Sequence, residues 1–192
     1  MEEYVILRVI SGTAKGHKLK TLKGISTRPT SDRVKESLFN IISGMIPGAG
    51  VLDIYAGTGS IGIEALSRGS DFAVFVDISN ECSRIIRENL VNTKLIDKAS
   101  VITGDIFITL NKISKNNKKF DIIFLDPPYN KNLVEETLNC IIENDVLKRS
   151  SIVIAEHDID DIVSDEIGVL KKVRSTNYGD TVMSFFMVVE RQ

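Results

Sequence analysis

Apolar positions follow two alternating patterns from residue 50 onward. Short continuous apolar runs, rich in β-branched residues, are separated by longer stretches in which apolar residues recur every three or four positions. The first pattern is typical of strands buried on both faces, and the second of amphipathic helices. The strand-like runs lie at residues 50–55, 72–76, 100–103, 121–125 and 151–155. This alternation predicts an α/β fold with a doubly wound, mostly parallel sheet.

A different pattern appears near the end of the sequence. Residues 169–174 and 181–189 both predict strands, and the Tyr178-Gly179-Asp180 turn between them leaves no room for a crossover helix. These two strands are therefore expected to pair antiparallel. With this C-terminal hairpin the predicted sheet has seven strands.

The first 47 residues predict a separate small unit. Residues 5–10 and 17–21 have the pattern of two hairpin strands, and an amphipathic helix follows. The apolar face of that helix comprises Val34, Leu38, Ile41, Ile42 and Met45. Arg33 and Lys35, near the start of the helix, are expected to point away from this face.

The charge of the chain is unevenly distributed. Its formal net charge is −2, but the stretch from Val5 to Asn40 has eight Lys and Arg residues against two acidic ones. A basic segment on an acidic body suggests contact with a polyanion, although a solvated, lysine-rich hairpin is the simpler alternative. We expect residues 1–47 to form a basic extension and residues 48–192 to form the main domain.

Composition excludes several classes of protein. The chain is 43% apolar and 26% charged, with no apolar run of membrane-spanning length and no signal-peptide pattern at its start. Cys82 and Cys140 lack metal-ligand spacing and are expected to be free thiols, and His17 and His157 give no metal motif either. We therefore expect a cytoplasmic, monomeric protein that uses neither metal nor membrane.

Candidate chemistry is concentrated in residues 120–129, FDIIFLDPPY. A buried strand ends there at Asp126, because the two prolines that follow cannot pair in a sheet or continue as a helix. Ligands of open α/β sheets bind at the carboxyl ends of strands. Asp126 and the Pro127 carbonyl would accept two N–H bonds from the exocyclic amine of a base, and Tyr129 would stack on its ring. The alternative is a rigid loop that carries an ordinary exposed tyrosine.

A second motif lies after the first strand of the main domain. Gly57, Gly59 and Gly62 have the G-x-G-x-x-G spacing, and Asp77 follows Gly57 by twenty residues. This arrangement is typical of dinucleotide-binding enzymes, in which the acidic residue binds a ribose hydroxyl. A nicotinamide or flavin enzyme is therefore one reading of the loop.

Three features favour a cationic cofactor over a dinucleotide. Asp53 precedes the glycines and would repel a pyrophosphate, whereas it would attract the ammonium group of a methionine. Gly104-Asp105, after the third strand, offers an acceptor for an adenine amino group. The closing antiparallel hairpin is also foreign to the dinucleotide-binding fold. The set favours S-adenosylmethionine as cofactor.

The motifs resemble those of class I S-adenosylmethionine-dependent amino-methyltransferases, which have a Rossmann-like fold. The resemblance rests on residues 53–59 and 126–129, and it is closer to the bacterial RsmD family over residues 8–12, 16–19 and 28–40. Tyr55 stands where that family commonly has Phe, and His17 where it often has Arg. The resemblance implies methylation of a guanine N2 in 16S ribosomal RNA, within the small subunit or an assembly intermediate.

The resemblance also implies roles for individual residues. The catalytic residues would be Asp126, Pro127 and Tyr129. The cofactor would be bound by Asp53, Tyr55, Ala56, Gly57, Thr58, Gly59, Asp77, Ile78, Gly104, Asp105 and Ile106. The RNA would be contacted by Arg8, Lys15, His17, Lys18, Arg28, Thr30, Arg33 and Lys35.

Several alternatives stay open at this stage. A DNA adenine-N6 methyltransferase would use the same core, but 192 residues leave no room for a target-recognition domain. A non-enzymatic RNA-binding protein would keep the basic segment and lose the chemistry. Phe39 is either a second contact for the base or a core residue, and Asn130 and Lys131 are further candidates for RNA contact.

Overall fold

One twisted sheet of eight strands organises the chain. A computed structural model describes residues 7–21, 32–128 and 133–189. In spatial order the strands are β3-β2-β1-β4-β5-β8-β7-β6. Their bounds are β1 Gly50–Ile54, β2 Phe72–Asp77, β3 Ala99–Thr103, β4 Phe120–Leu125, β5 Leu147–Asp158, β6 Glu166–Ile167, β7 Leu170–Tyr178 and β8 Thr181–Val188. The first five strands pair parallel and the last three pair antiparallel. The predicted doubly wound, mostly parallel sheet with a C-terminal antiparallel hairpin is thus confirmed.

Helices cover both faces of the sheet. Their bounds are α1 Asp32–Ile41, α2 Ser60–Ser67, α3 Asn80–Asn92, α4 Ile106–Ser114 and α5 Leu133–Glu143. Side chains of α1, α2 and α3 and of residues 7–19 pack on one face, while α4 and α5 pack on the other. Among the described residues, none of the helices is long and apolar enough to cross a membrane.

Strand alternation distributes the apolar residues of β1 between the two faces. Val51 lies in the core beneath α2, whereas Leu52 and Ile54 lie in the core beneath α4 and α5. Because successive side chains of a strand point to opposite faces, Asp53 lies on the α2 side with Val51. A strand buried on both faces is therefore interrupted by one carboxyl group.

The register of the parallel strands aligns their carboxyl ends. Ile54 of β1 is paired with Val76 of β2 and with Leu125 of β4, which in turn is paired with Ala155 of β5. The residues that follow these positions therefore lie along one edge of the sheet. That edge brings together the residues predicted for the site.

The structure corrects several predicted boundaries. The sheet has eight strands and not seven, because Glu166–Ile167 pairs with β7 through a turn at Gly168, whose φ is 57°. A two-residue strand is too short to show an alternating pattern. The fifth strand runs from Leu147 to Asp158, well beyond the predicted residues 151–155.

The N-terminal hairpin is less regular than predicted. Among residues 7–21, the backbone forms one antiparallel bridge, between Arg8 and Lys18, flanked by hydrogen bonds from the Val9 N–H to the His17 carbonyl and from the Leu19 N–H to the Leu7 carbonyl. Gly12 has a φ of 84°, and a Cβ atom there would lie 1.8 Å from the Ser67 carbonyl oxygen. The turn therefore packs directly on the end of α2 and does not extend as a free hairpin.

Candidate active site

The glycine loop joins β1 to α2 through a left-handed backbone. Tyr55, Gly57 and Gly59 have φ values of 59°, 54° and 76°. The Tyr55 hydroxyl makes a 2.9 Å hydrogen bond with Thr137 Oγ1 of α5, which stabilises the tyrosine in this uncommon conformation. Ala56 is buried, and its N–H donates to the Val76 carbonyl at 3.1 Å. The loop is thus held by β2 on one side and by α5 on the other.

Gly62 is required by close packing of helix against sheet. A Cβ atom at this position would lie 2.3 Å from Phe75 Cε1 and 3.1 Å from Asp53 Oδ2. The Gly62 N–H donates to Asp53 Oδ2 at 2.9 Å. The third glycine of the motif therefore lets α2 approach the sheet and supplies a hydrogen-bond donor to the buried carboxyl group of Asp53.

Asp53 is a buried acid. It is 2% exposed, and burial raises its pKa to about 8, with a smaller raising effect from Asp77 and a lowering effect from the Gly62 N–H. At neutral pH the free protein therefore holds Asp53 largely protonated. A cation placed beside it would favour the charged form.

Asp77 ends β2 and organises the loop beside it. Its Oδ2 accepts the Gly57 N–H at 2.8 Å, and its Oδ1 accepts the Ser79 N–H at 2.8 Å. Between these residues, Ile78 is 70% exposed, an unusual exposure for an isoleucine at the edge of a sheet. An exposed apolar side chain here could pack against a flat aromatic ligand.

The turn after β3 supplies a further carboxylate. Asp105 caps α4, its Oδ1 accepting the Ile108 N–H at 3.1 Å. The Gly104 N–H donates to the Asp77 carbonyl at 2.9 Å, which ties this turn to the end of β2. Ile106 is buried in the core beneath α4. Its side chain is therefore occupied by core packing.

Asp126 follows β4 and lies in an acidic environment. Burial raises its pKa well above the usual value, and the nearby carboxylates of Glu156 and Asp53 raise it further. Glu156 is 4% exposed and lies in β5, next to the Ala155 position that pairs with Leu125. Sequence reasoning missed Glu156 because it ended the fifth strand at Ala155. The acidic residue directly after that boundary was the available signal.

Some predicted site residues lie outside the described residues. These are Tyr129 of the catalytic set, Arg28 and Thr30 of the RNA set, and Asn130 and Lys131. Of the proline loop, Asp126, Pro127 and Pro128 are described, and Pro127 is buried while Pro128 is exposed. Asp126 and the Pro127 backbone therefore lie at the carboxyl edge, as predicted.

The prediction for Lys35 is wrong. Lys35 is fully buried, and its Nζ donates to the Arg8 carbonyl at 2.6 Å and lies 3.9 Å from Glu64 Oε2. Burial lowers its pKa, and the nearby Glu64 carboxylate opposes that change. Lys35 therefore cannot contact a phosphate. Phe39 is also buried, at 1% exposure, and it packs in the core, which favours the core role over contact with the base.

The other described residues of the RNA set remain accessible. Arg8, Lys15, Lys18 and Arg33 are exposed, and His17 is partly exposed. Arg8 makes a 2.8 Å ion pair with Asp32 at the start of α1. His17 Nδ1 lies 2.9 Å from the Ala14 carbonyl oxygen. Arg8, Lys15, His17 and Lys18 lie on the segment that packs beside α2, and Arg33 lies on α1.

Glu64 holds the N-terminal segment in place. It is fully buried, and its two carboxylate oxygens accept the N–H groups of Ile10 and Ser11 at 2.7 and 2.9 Å. Arg68 Nε donates to the same carboxylate at 2.7 Å. This residue, on the helix that begins at the glycine loop, was also missed by sequence reasoning, since a glutamate in a short helix is usually solvated.

Metal chemistry has no ligand set in the described part of the chain. No group of three or more His, Cys, Asp or Glu side chains there is arranged to hold an ion. Cys82 and Cys140 are free and buried, as expected. The arrangement offers instead a row of carboxyl groups, a left-handed glycine loop and an exposed isoleucine, which fit a cationic ligand with an adenine ring.

Comparison with known proteins defines the class. The fold and the loop are those of class I methyltransferases, and solved structures of similar shape agree. A candidate methyltransferase of Escherichia coli, YhhF, superposes with a TM-score of 0.82 at 28% identity, covering 97% of this chain and 99% of its own. A hypothetical protein of Thermus thermophilus also gives 0.82, at 25% identity over 95% of this chain and 100% of its own.

Sequence relatives give the family. The model of the family described as conserved hypothetical protein 95 matches residues 7–187. YlbH of Bacillus subtilis (strain 168), named as a candidate rRNA methyltransferase, is 39% identical over 94% of this chain and 98% of its own length. Ribosomal RNA small subunit methyltransferase D of Haemophilus influenzae is 33% identical over 88% of this chain and 89% of its own. The chain therefore belongs to this family, the RsmD family of methyltransferases.

Proposed function

We propose that this protein transfers a methyl group from S-adenosylmethionine to the exocyclic N2 amine of a guanine in 16S ribosomal RNA. Methylation of small-subunit ribosomal RNA follows from the family and from the activity that its relatives' names state. The position of the methyl group and the roles of individual residues are the proposal. A cytoplasmic monomer, with residues 1–47 as the RNA-binding extension, is part of it.

The position of Asp126 carries the proposal. Asp126 and the Pro127 carbonyl follow a central strand, β4, whose neighbour β1 leads into the glycine loop. The exocyclic amine of a base is close to planar in its resting state. If its two N–H groups make hydrogen bonds, one to Asp126 and one to the Pro127 carbonyl, the pyramidal form of the amine is favoured, and its lone pair is directed away from these acceptors. Bound S-adenosylmethionine supplies an electrophilic methyl group. Positioning the lone pair toward that methyl is then the main catalytic contribution.

Charge in the site favours a cationic cofactor. Asp53 and Asp126 both have raised pKa values, and the carboxyl groups that raise the pKa of Asp126 belong to Asp53 and Glu156. Positive charge beside Asp53 relieves the mutual repulsion of these groups and favours their ionised forms. Cofactor binding would thus favour the charged form of Asp126, which accepts hydrogen bonds from an amine.

The remaining cofactor contacts are assigned by the chemistry of each group. Asp77 would bind ribose hydroxyls, Gly104-Asp105 would accept from the adenine amino group, and Ile78 would pack on the adenine ring. The backbone from Tyr55 to Gly59 would line the methionine moiety, while Ile106 contributes its backbone. The glycine loop has room for such contact, since a Cβ at Gly57 would meet only the Tyr55 carbonyl oxygen, at 4.0 Å.

RNA binding is assigned to the basic surface of the N-terminal segment. Arg8, Lys15, His17, Lys18 and Arg33 would hold phosphates, which position the RNA without reading its sequence. Arg28 and Thr30 are proposed with them from the sequence. Lys35 is not, since its ammonium group is buried. Tyr129 is proposed to stack on the target base, which could offset about 1–3 kcal/mol of the cost of unstacking.

Nucleoside mass spectrometry of 16S RNA tests the proposal. RNA from a deletion strain should lack one N2-methylguanine, which should return with the wild-type gene. Complementation with Asp126→Ala should not restore it, although purified Asp126→Ala protein should bind S-adenosylmethionine with near wild-type affinity. Retained methylation by Asp126→Ala would remove this residue from the mechanism, and loss of a methyladenine instead would overturn the assignment to guanine.

A further inference from the structure

One buried asparagine joins the N-terminal segment to the glycine loop. Asn89 lies in α3 and is 0% exposed. Its Nδ2 donates to the Lys20 carbonyl at 3.1 Å and to the Thr58 carbonyl at 3.0 Å, and its Oδ1 accepts the Lys20 N–H at 2.7 Å. Thr58 stands between Gly57 and Gly59, both of which have a left-handed backbone. A single side chain thus contacts both the RNA-binding segment and the cofactor loop.

The three bonds need the amide group of asparagine. A planar amide presents two N–H donors and one acceptor oxygen, which here match two carbonyls and one N–H. An aspartate would turn an oxygen toward two carbonyl oxygens and would add a buried charge. A leucine would leave three partly buried backbone groups without this partner. The paired contact with Lys20 resembles that of a neighbouring strand, which suits a segment that has little regular pairing of its own.

We propose that Asn89 is a positioning residue that couples cofactor binding at the glycine loop to the placement of the basic N-terminal segment. Order in the loop fixes the Thr58 carbonyl, which orients the Asn89 amide, which in turn holds the Lys20 peptide. Each ligand then raises the affinity for the other, by the same factor in both directions. This inference rests on the proposed function, since the two ligands are S-adenosylmethionine and 16S RNA.

The chain offers a matched control for this link. Asn92 also lies in α3, and its Nδ2 donates to the Lys18 carbonyl at 3.1 Å. Lys20 Nζ is held by Glu88 at 2.7 Å. Both contacts join the N-terminal segment to α3. Neither Asn92 nor Glu88 has a described bond to the glycine loop. Removing Asn92 should therefore loosen the segment without removing the coupling.

Hydrogen exchange tests the link with the cofactor product alone. S-Adenosylhomocysteine should slow exchange of the Lys20 amide, whose partner is Asn89, by several-fold in the wild type. The Val9 amide, which donates to the His17 carbonyl at 3.0 Å within the segment, should change less. In Asn89→Asp the slowing at Lys20 should disappear. If S-adenosylhomocysteine binds and Lys20 exchange stays the same in the wild type, the coupling does not exist.

A binding cycle measures the coupling itself. The dissociation constant of a 16S RNA fragment is determined with and without saturating S-adenosylhomocysteine for the wild type, Asn89→Asp and Asn92→Ala. The wild type should bind at least about fivefold more tightly with the cofactor product, within the usual range of coupling. Asn92→Ala should keep that ratio with weaker affinity, and Asn89→Asp should reduce it to about one.

The outcomes separate this inference from the proposed function. A ratio of one in the wild type, with binding of S-adenosylhomocysteine confirmed by calorimetry, overturns the coupling and leaves the proposed function standing. Absence of any binding of S-adenosylhomocysteine overturns both. If Asn89→Asp does not fold, as circular dichroism would show, the wild-type ratio and the Lys20 exchange decide the result.

Discussion

Replacement of Lys35 by methionine tests whether Lys35 is a buried structural residue or a ligand of RNA phosphates. The change removes the 2.6 Å bond to the Arg8 carbonyl and the ammonium group 3.9 Å from Glu64, and it leaves an unbranched side chain that is one atom shorter. Glu64 keeps Arg68 and two backbone N–H donors. The unsatisfied Arg8 carbonyl and the lost charged hydrogen bond together should cost about 1–3 kcal/mol. For a chain of this size, each kcal/mol lowers the Tm by about 2–4 °C.

Arg33→Met is the matched control, because Arg33 lies two positions away in the same helix and is exposed. Its stability should change by less than about 0.5 kcal/mol. Thermal unfolding and the salt dependence of RNA binding are measured for both variants. Arg33→Met should lower the salt slope by about 0.7–0.9, whereas Lys35→Met should leave it unchanged. A lower slope with an unchanged Tm in Lys35→Met would show that Lys35 reaches the RNA and that our reasoning is wrong.

Three further changes test the site. The first change is Asp53→Asn. Burial raises the pKa of Asp53 to about 8, so the folded protein holds a proton that the unfolded chain loses above about pH 4. Asp53 therefore makes the free energy of unfolding fall as pH rises from about 4 to about 8. The asparagine variant should flatten that decline in denaturant titrations at several pH values, and an unchanged profile would contradict the raised pKa. In Gly62→Ala, the added Cβ atom would lie 2.3 Å from Phe75 and should lower the free energy of unfolding by about 1–3 kcal/mol. Gly44→Ala adds a Cβ atom with no other atom within 4 Å, so it should lower the free energy of unfolding by less than about 0.5 kcal/mol. Equal stabilities of the two variants by chemical denaturation would count against the packing argument. Asp77→Ala: loss of its contacts should weaken S-adenosylmethionine binding about ten- to hundredfold by calorimetry, and near wild-type affinity would remove Asp77 from the cofactor site.

Sequence periodicity was sufficient to place most of the site. Strand ends follow directly from the apolar runs, and parallel pairing brings those ends to one edge. Asp53, Asp77, Asp105 and Asp126 therefore fall together in the structure as they did in the prediction. The glycine positions were predictable too, because the turn after β1 needs a left-handed backbone, which Gly57 and Gly59 adopt.

What the sequence could not predict depends on contacts between distant elements. Lys35 looked solvated because its own helix offered no partner, and its burial depends on Arg8 and on Glu64 of α2. Asn89 is one polar residue in an amphipathic helix, and its partners lie 69 and 31 positions away. In each case a polar side chain is stabilised by backbone groups of another segment, which one-dimensional patterns do not contain.

The position of β8 has a consequence for the synthesis of the protein. β8 is the last described strand to be made, yet it lies inside the sheet, between β5 and β7. Until residue 188 has left the ribosome, β5 has no partner on one side, and its buried residues 151–157 lack that neighbour. From the synthesis of β5 until β8 emerges, the nascent chain therefore carries an open, apolar sheet edge, and such edges invite association with other chains. Chaperone dependence during translation, and sensitivity to stop codons before residue 181, are expected costs of this strand order.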